Sequence, residues 1–462
     1  MSIATELTAL STNLSNAYDA VSAKGGTIPA NKNTANLATA ISSISGGGGT
    51  IQITNGRISS FKGLTSTVDE YSFVDIVNNT TNGSDKYITT TNANYNALSS
   101  VALDSSRAFV VWANSSYLYA CVATISGDTF TTGTVTQIVA TGMTYSAVAA
   151  LSSDKVVIFH NANSNGDLHG VVCAISGTTI TPGTDTEILT TQYSSNGVKA
   201  IALDQERAFV LHRGASNSTS AIVCTISGTT ITPGTDTQIS SANDSYTYTG
   251  LAMLETDKLF IAYRSGNYAN GMVCTVSNTT ITPGTDTQLD STSSSYTGIG
   301  VAALQSDKAF LTYNVGGYLY GKICTISGGT ITPQTGSQLS YTGSSSTDVA
   351  IGTITANKVL ISHRGVSTYA WEAVSCYIDG VSITTDRDVS LGTSMNYASN
   401  RANVMAFGSN KAMITHRRSS YPGGIVVNVP DFGVVPATSR IKGLTAEECT
   451  TSTAGDVWVL NN

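Results

Sequence analysis

A segment of about sixteen residues recurs with few changes along the middle of the chain. The copies that begin at Cys173, Cys224, Cys274 and Cys324 read CAISGTTITPGTDTEIL, CTISGTTITPGTDTQIS, CTVSNTTITPGTDTQLD and CTISGGTITPQTGSQLS. Alignment on the Ile-Ser-Gly element extends the series from Ile125 to Ile378, with spacings of 50, 51, 50, 50 and 52 residues. A period near fifty residues indicates a repeat architecture in which each unit buries its faces against its neighbours.

A second landmark, a Lys or Arg before an apolar run, recurs seven times between Arg107 and Lys411. The copies read SRAFVVW, DKVVIFH, ERAFVLH, DKLFIAY, DKAFLTY, NKVLISH and NKAMITH. The third unit divides into four short strands, which read VKAIALD, AFVLHR, SAIVCTIS and TITPGTDTQI. Charged residues make up only 11% of the chain. Ser, Thr, Gly and Asn supply the polarity instead, which is typical of β-structure with many turns.

Four strands in about fifty residues match one blade of a β-propeller, and seven units lie within the range of four to eight blades that closes a ring. The sequence therefore predicts a mainly β protein whose residues 81–430 form a seven-bladed β-propeller of four-stranded antiparallel blades. A solenoid is the rival repeat architecture. It requires capping repeats at its ends, and it gives no reason for a unit that is divided between the two ends of the repeat region.

The two ends of the repeat region are complementary. The seventh unit ends without a copy of the fourth strand, whereas GSDKYITTT, from Gly83, aligns with GTDTQISSA, from Gly234, in the third unit. We expect the N-terminal strand, near 86–90, to complete the last blade. Pairing the two ends removes the exposed edges of an open sheet.

The segments outside the repeats are different in character. Residues 3–24 place Leu7, Leu10, Leu14, Tyr18 and Val21 at helical spacing, and a second apolar stripe contains Leu37, Ile41 and Ile44. We predict an N-terminal α-helical hairpin over 1–45, a glycine linker at 46–50, and a small β-domain formed by 51–80 and 431–462. A helical hairpin of this size is marginally stable alone, so we expect it to oligomerise or to dock on another protein.

Two residue types occupy fixed repeat positions. We expect the five aligned cysteines, Cys173, Cys224, Cys274, Cys324 and Cys376, to be small buried hydrophobes. No CxxC or CxH spacing accompanies them, and we predict no metal site. Ring side chains occupy the fifth position after the repeated Lys or Arg, and we interpret them as packing against the next blade. These residues are Trp112, His160, His212, Tyr263, Tyr313, His363 and His416.

The loops between second and third strands emerge on one face of a propeller and carry the candidate ligand-binding residues. These are Arg213, Arg264, Arg364, Arg417, Arg418, Tyr268, Tyr318, Asn161 and Asn314. Such side chains can bind glycan hydroxyls, phosphates or carboxylates. The alternative is that the arginines are ordinary solvated charges.

Several function classes are disfavoured by the sequence. The net charge of −7 argues against nucleic acid as the main partner, because phosphate binding needs a basic surface. Neither a secretory signal nor an eighteen-residue apolar stretch occurs, so we predict no membrane insertion. The recurrent acids Asp154, Glu206, Asp257 and Asp307 lie at turns in different units, and no catalytic motif is present. We predict a protein that is not an enzyme and needs no cofactor.

The segment NAYDAVSAKGGTIPANKNTANLATAISSI resembles the N-terminal segment of tail-associated proteins from bacteriophages that infect Gram-positive bacteria. The resemblance covers about the first 45 residues. The C-terminal RIKGLTAEECTTSTAGDVWVLNN is similar in character to short β-modules that end such virion proteins.

This resemblance implies a virion protein, assembled in the host bacterial cytoplasm, whose residues 1–45 bind other tail or baseplate proteins. It implies a homo-oligomer, with a trimer preferred, and a propeller that attaches to a host-surface glycan such as wall polysaccharide. The alternative is a structural or decoration protein of the baseplate or capsid without ligand binding. A glycan-cleaving enzyme is less favoured.

Overall fold

The structure of the protein is a computed structural model. It describes residues 14–22, 28, 30, 32, 36–37, 51–54, 57–61, 80–90, 97–114, 117–140, 145–162, 167–190, 197–214, 218–240, 249–291, 296–340, 349–365, 370–386, 388–394, 402–418, 420–429, 443–445 and 457–459. The chain divides into two compact units, of which the first contains residues 1–77 and 433–462 and the second residues 78–432.

The described part of the first unit contains a short helix and two pairs of antiparallel strands. Residues 14–22 are helical, Tyr18 and Val21 are buried, and Leu37 packs against them. The remainder of the predicted second helix, apart from residues 36–37, lies outside the described residues. Strand β1 (Ile51–Thr54) pairs with β2 (Arg57–Phe61). The C-terminal strands of this unit, β38 (Gly443–Thr445) and β39 (Val457–Val459), also pair with each other.

The second unit contains seven sheets, which we number as blades 1 to 7. Blade 1 contains β5 (Ser99–Ala102), β6 (Arg107–Ala113), β7 (Leu118–Ser126), β8 (Thr129–Thr132) and β9 (Thr136–Val139). Blade 2 contains β10 (Ser146–Ser152), β11 (Lys155–Ala162), β12 (Asp167–Ser176), β13 (Thr179–Pro182) and β14 (Thr186–Leu189). Blade 3 contains β15 (Val198–Ala202), β16 (Arg207–Arg213), β17 (Thr219–Ser227), β18 (Thr230–Pro233) and β19 (Thr237–Ser240). Blade 4 contains β20 (Thr249–Glu255), β21 (Lys258–Ser265), β22 (Tyr268–Ser277), β23 (Thr280–Pro283) and β24 (Thr287–Gln288).

Blade 5 contains β25 (Thr297–Gln305), β26 (Lys308–Val315), β27 (Tyr318–Ser327), β28 (Thr330–Pro333) and β29 (Ser337–Gln338). Blade 6 contains β30 (Ala350–Thr355), β31 (Lys358–Arg364), β32 (Ala370–Asp379), β33 (Ser382–Thr385) and β34 (Val389–Ser394). Blade 7 contains β35 (Asn403–Ala406), β36 (Lys411–Arg418) and β37 (Tyr421–Asn428) together with the N-terminal β3 (Thr81–Asn82) and β4 (Lys86–Tyr87). The seven-bladed β-propeller predicted from the repeats is therefore confirmed.

Each blade is a four-stranded antiparallel meander whose fourth strand is split in two. In blade 3, β15 pairs with β16 and β16 with β17, while both β18 and β19 pair with β17. The interruption is the Pro-Gly-Thr-Asp turn, where Gly234 N donates a hydrogen bond to Val223 O at 2.9 Å. A Cβ on Gly234 would lie 2.8 Å from that oxygen and 2.9 Å from Thr279 Cβ of blade 4. Glycine at this position therefore permits close contact between neighbouring blades.

The N-terminal strand closes the ring as the sequence predicts. Strands β3 and β4 both pair with β37, with Asn82 opposite Val427 and Lys86 opposite Gly424. One of the seven apolar clusters joins blade 7 to blade 1 and contains Phe130 and Met413. The other clusters likewise join adjacent blades. The core of the propeller thus lies between its blades, and second strands such as β16 are continuous apolar runs because both of their faces are covered.

The repeated basic residue connects neighbouring blades. In six blades its side chain donates to a backbone carbonyl of the following blade. The pairs are Arg107 with Gly177, Arg207 with Asn278, Lys258 with Ser306, Lys308 with Gly380, Lys358 with Val429 and Lys411 with Gly127. The last pair crosses the point of ring closure, so the same contact that joins successive blades also joins blade 7 to blade 1.

The predicted burial of the five aligned cysteines is confirmed, and Cys121 is buried as well. The turn acids also have a common role, because the backbone oxygens of Asp154, Glu206, Asp257 and Asp307 each accept a hydrogen bond from the third strand of their own blade. Among the described helical residues, none belongs to a helix with the length and apolarity needed to cross a membrane.

Candidate functional site

The ring residues at the end of the second strands are all buried, in agreement with the packing interpretation. They also make a contact that the sequence analysis missed. In five blades the ring bonds to the aspartate that ends the turn between the two halves of the fourth strand. This turn reads Pro-Gly-Thr-Asp in blades 2 to 4, Thr-Asp-Arg-Asp in blade 6 and Asn-Gly-Ser-Asp in blade 7. The pairs are His160–Asp185 at 3.1 Å, His212–Asp236 at 2.9 Å, Tyr263–Asp286 at 2.7 Å, His363–Asp388 at 3.1 Å and His416–Asp85 at 3.1 Å.

A third residue lies directly opposite the ring on the third strand. We call this residue, the ring and the fourth-strand residue the latch cluster of a blade. The residue opposite the ring is Tyr119, His169, Ser220, Asn270, Tyr320, Glu372 and Gly423 in blades 1 to 7. In blade 4, Asn270 Nδ2 donates to both carboxylate oxygens of Asp286, at 3.1 and 3.0 Å. In blade 4 the latch cluster therefore joins the second, third and fourth strands.

Two blades lack the aspartate, and their rings find other partners. Blade 1 has Val135 at that position, and Trp112 stacks on Tyr119 at 6.2 Å between ring centroids. Blade 5 has Gly336, and Tyr313 stacks on Tyr320 at 5.9 Å. Burial raises the pKa of Tyr313, and its hydrogen bond with Asp290 raises this pKa further. In the two blades without the aspartate, the ring thus stacks on a tyrosine of the third strand.

Blade 2 shows the electrostatics of a latch cluster. His160 Nε2 lies 3.1 Å from Asp185 Oδ1, and His169 Nδ1 lies 3.3 Å from Asp185 Oδ2. Burial by itself would raise the pKa of Asp185. The hydrogen bonds and charges of the two histidines outweigh this effect and hold the pKa below its usual 3.8. The cluster therefore stabilises the ionised carboxylate.

Blade 6 contains a different combination, because two carboxylates surround one imidazole. His363 Nε2 lies 3.1 Å from Asp388 Oδ1 and 4.0 Å from Glu372 Oε2. Asp388 Oδ2 accepts a hydrogen bond from the hydroxyl of Ser340 at 2.7 Å. His363 and Glu372 are buried, and the side chain of Asp388 is 12% exposed.

The predicted ligand-binding residues fall into two groups. Those buried in the propeller are Arg364, Arg417 and Asn314. Those that reach solvent to some degree are Asn161, Arg213, Arg264, Arg418, Tyr268 and Tyr318. Arg264 Nε donates to Gly266 O at 2.8 Å within its own turn. Asn161 Oδ1 accepts a hydrogen bond from Tyr145 N at 2.7 Å. Arg264 therefore stabilises its own turn, whereas Asn161 joins the end of the second strand of blade 2 to the start of its first strand.

Arg418 is held by the N-terminal strand. Its guanidinium contacts Asp85, with Nε 3.1 Å from Oδ2, and lies 4.2 Å from the centroid of the Tyr87 ring. The Tyr87 ring in turn packs edge-on against Tyr421, with centroids 5.6 Å apart. Sequence reasoning missed Tyr87, because it comes from the N-terminal strand and meets Arg418 only through ring closure.

Three exposed tyrosines occupy one repeat position at the start of the third strand. Tyr117, Tyr268 and Tyr318 are 38%, 38% and 45% exposed. Tyr117 N donates to Asn114 Oδ1 at 2.8 Å, so the turn fixes its backbone. Tyr117 was not among the predicted ligand-binding residues. The sequence contained the signal, because each of the three tyrosines follows the repeated Lys or Arg of its blade by ten residues. These tyrosines lie on the face of the propeller that carries the turns between second and third strands, which we call the turn face.

No known protein family matches the sequence, and no curated protein matches it. Solved structures with a similar fold include AofleA from Arthrobotrys oligospora, with 10% identity, a TM-score of 0.45, and coverage of 65% of this chain and 88% of that chain. A mutant Aleuria aurantia lectin in complex with Fucα1-6GlcNAc has 14% identity, a TM-score of 0.43, and coverage of 66% and 100%. A protein of unknown function from Desulfotomaculum acetoxidans has 12% identity, a TM-score of 0.41, and coverage of 76% and 90%. Similarity at this level carries no inference about a ligand, and the candidate site is defined by the chain's own residues.

Proposed function

We propose that this protein is a bacteriophage virion protein whose propeller attaches to a glycan on the host cell surface. In this proposal the turn face, where the second strands pass into the third, is the binding surface. The first 45 residues attach the protein to the virion. The protein acts by binding and not by catalysis.

The observation that carries the proposal is the shared position of Tyr117, Tyr268 and Tyr318. Most large apolar side chains of the described propeller are buried, whereas these three rings are substantially exposed on the same face. An exposed aromatic ring offers a flat apolar surface with a polar hydroxyl. The C–H face of a pyranose packs on such a surface while the sugar hydroxyls bond to nearby polar groups, so a neutral glycan is the ligand class we favour.

The turn residues vary while the blade scaffold stays constant. At the position of the three tyrosines, the other blades carry Asp167, Ser218, Ala370 and Tyr421. Binding residues on variable turns above a rigid scaffold are a common arrangement in recognition proteins. The variation supports a binding role for this face, because a scaffold role alone would place no demand on exposed tyrosines.

The resemblance of residues 1–45 to phage tail-associated proteins supports the virion assignment. The described part of this segment contains an amphipathic helix, residues 14–22, with Tyr18 and Val21 on its buried side. We infer that the segment docks on tail or baseplate proteins and assembles the chain as a homo-oligomer, with a trimer preferred. Antibodies against the propeller should then label phage particles at the tail.

The binding proposal is tested with the full-length protein and purified wall polysaccharide from Gram-positive bacteria, alongside a glycan array. The triple variant Tyr117→Ala, Tyr268→Ala, Tyr318→Ala should bind at least about tenfold more weakly, since each ring contributes on the order of 0.5–1.5 kcal/mol. Val381→Ala is the matched control, because Val381 is 50% exposed in a turn between third and fourth strands, on the opposite face. Equal binding by the triple variant and the native protein would refute this site.

Replacing four of the candidate arginines, Arg213, Arg264, Arg364 and Arg417, with alanine would be a poorer test. Arg364 and Arg417 are buried, so replacing them would disturb the fold as well as the surface. The tyrosine variant separates the two effects, because a stable propeller that no longer binds the polysaccharide places the loss on the surface.

A further inference from the structure

The latch cluster of blade 6 has the composition of a metal site. His363, Glu372 and Asp388 each offer one ligand atom, and these atoms all lie within 4.8 Å of one another. Among the described residues, they are the one such group of three or more metal-binding side chains. From this geometry we propose that blade 6 binds a divalent transition-metal ion such as Zn²⁺ or Mn²⁺, with His363 Nε2, Glu372 Oε2 and Asp388 Oδ1 as ligands.

Charge and burial support a cation at this point. Glu372 is 6% exposed and Asp388 is nearly as well covered, so two acidic groups lie beside one imidazole with little access to water. A divalent ion at this point would attract both carboxylates and accept the lone pair of His363 Nε2.

The distances are close to those of a coordinated ion. Metal–ligand bonds of about 2.0–2.2 Å to nitrogen and oxygen place the ligand atoms about 3–3.5 Å from each other. The His363–Asp388 separation of 3.1 Å already meets this condition. The His363–Glu372 separation of 4.0 Å requires only a small rotation of the Glu372 side chain. A nitrogen and two carboxylate oxygens favour a transition ion over Ca²⁺, which prefers oxygen alone.

Two outer residues hold these ligands in place. The buried hydroxyl of Ser340 donates to Asp388 Oδ2, which leaves Oδ1 directed at His363. A ligating carboxylate is commonly oriented by such a second hydrogen bond. At Gly365, a Cβ would lie only 2.8 Å from Glu372 Oε1, so glycine leaves the space that the Glu372 carboxylate uses.

Glu372 distinguishes blade 6 from the other blades that contain a histidine–aspartate pair. Blade 3 has the same histidine–aspartate pair but Ser220 opposite the ring, which supplies no strong metal ligand. Blade 2 has His169 there, and its two histidines contact opposite oxygens of Asp185. The sequence analysis predicted no metal site because it searched for ligands at short spacing, whereas these three come from different strands.

The experiment uses the full-length protein after treatment with EDTA, titrated separately with Zn²⁺ and Mn²⁺ by isothermal titration calorimetry. Glu372→Gln keeps the size of the side chain and removes its charge. His169→Asn is the matched control in blade 2. Circular dichroism and the melting temperature of each variant establish that it is folded.

We expect one ion per native chain, binding to His169→Asn as to the native protein, and affinity at least about tenfold weaker in Glu372→Gln. Anomalous diffraction from crystals soaked in Zn²⁺ should show the ion beside His363 Nε2. Absence of saturable binding by the native protein would overturn the proposal. Binding that survives Glu372→Gln but is lost in His169→Asn would also overturn it, because that result would assign the ion to blade 2.

Discussion

Asp236 Oδ1 lies 2.9 Å from His212 Nε2 and joins the fourth strand of blade 3 to its second strand. The bond spans the third strand, whose Ser220 lies between the two elements. The edge strand of the blade is thus held both by its backbone pairing and by a side-chain bond to a buried ring. The same relationship recurs in four other blades, which makes it a structural device of the repeat.

Removing this bond should weaken the blade. We expect Asp236→Ala to lower the free energy of unfolding by about 1 kcal/mol, because a buried ring nitrogen loses its partner. The measurement is the urea midpoint, followed by tryptophan fluorescence. Val135→Ala is the control, since Val135 occupies the same repeat position in blade 1 without such a bond and is comparably exposed. Equal shifts of the midpoint in both variants would contradict this role for the bond.

Close contact between blades should make Gly234 sensitive to substitution. We expect Gly234→Ala to destabilise the protein by about 1–3 kcal/mol, because the new Cβ meets Val223 O and Thr279 Cβ at less than 3 Å. Blade 5 provides the control, since Gln334 stands at the equivalent position and makes the equivalent backbone bond to Ile323 O. The melting temperature should therefore fall for Gly234→Ala and change little for Gln334→Ala, and a similar fall in both would disprove the steric argument.

The depressed pKa of Asp185 makes a prediction about acid stability. A carboxyl whose pKa is lower in the folded than in the unfolded state stabilises the fold above its unfolded value, near 3.8. That stability is lost as the pH falls through the folded pKa. Between pH 5 and pH 2.5 the melting temperature of the native protein should therefore fall more steeply than that of Asp185→Asn. Parallel curves for the two proteins would show that the histidines do not stabilise the carboxylate.

The cysteines of the blades should be chemically inert. Burial raises the pKa of Cys121, Cys173, Cys224, Cys274 and Cys324 to about 12, and it raises that of Cys376 as well. The chain contains seven cysteines, of which Cys449 lies outside the described residues. In a thiol titration at pH 8, the native protein should expose no more than one group, and the protein in denaturant should expose seven. Rapid reaction of two or more thiols without denaturant would contradict the buried assignment.

The sequence by itself determined the blade number, the strands of each blade and the closure of the ring. These follow from local patterns, since an apolar run after each basic residue and a Gly-Thr or Asn-Thr turn specify strands and turns within a few residues. Closure of the ring could also be predicted, because the N-terminal GSDKYI resembles the strand that the seventh unit lacks. The repeated cysteines were correctly predicted as buried, because a small apolar residue at a fixed position of a central strand faces a neighbouring blade.

Only the tertiary structure decided which side chains meet and which reach solvent. The bond between His212 and Asp236 joins residues of two strands that do not pair with each other, and the period of the repeat gives no distance between them. The sequence placed the turn arginines in one set of candidate ligand-binding residues, but Arg417 is buried while Arg264 is partly exposed. Glu372 illustrates the same limit, because its neighbours His363 and Asp388 come from separate strands. Strands follow from local backbone preference, whereas a site depends on distances between side chains that packing alone sets.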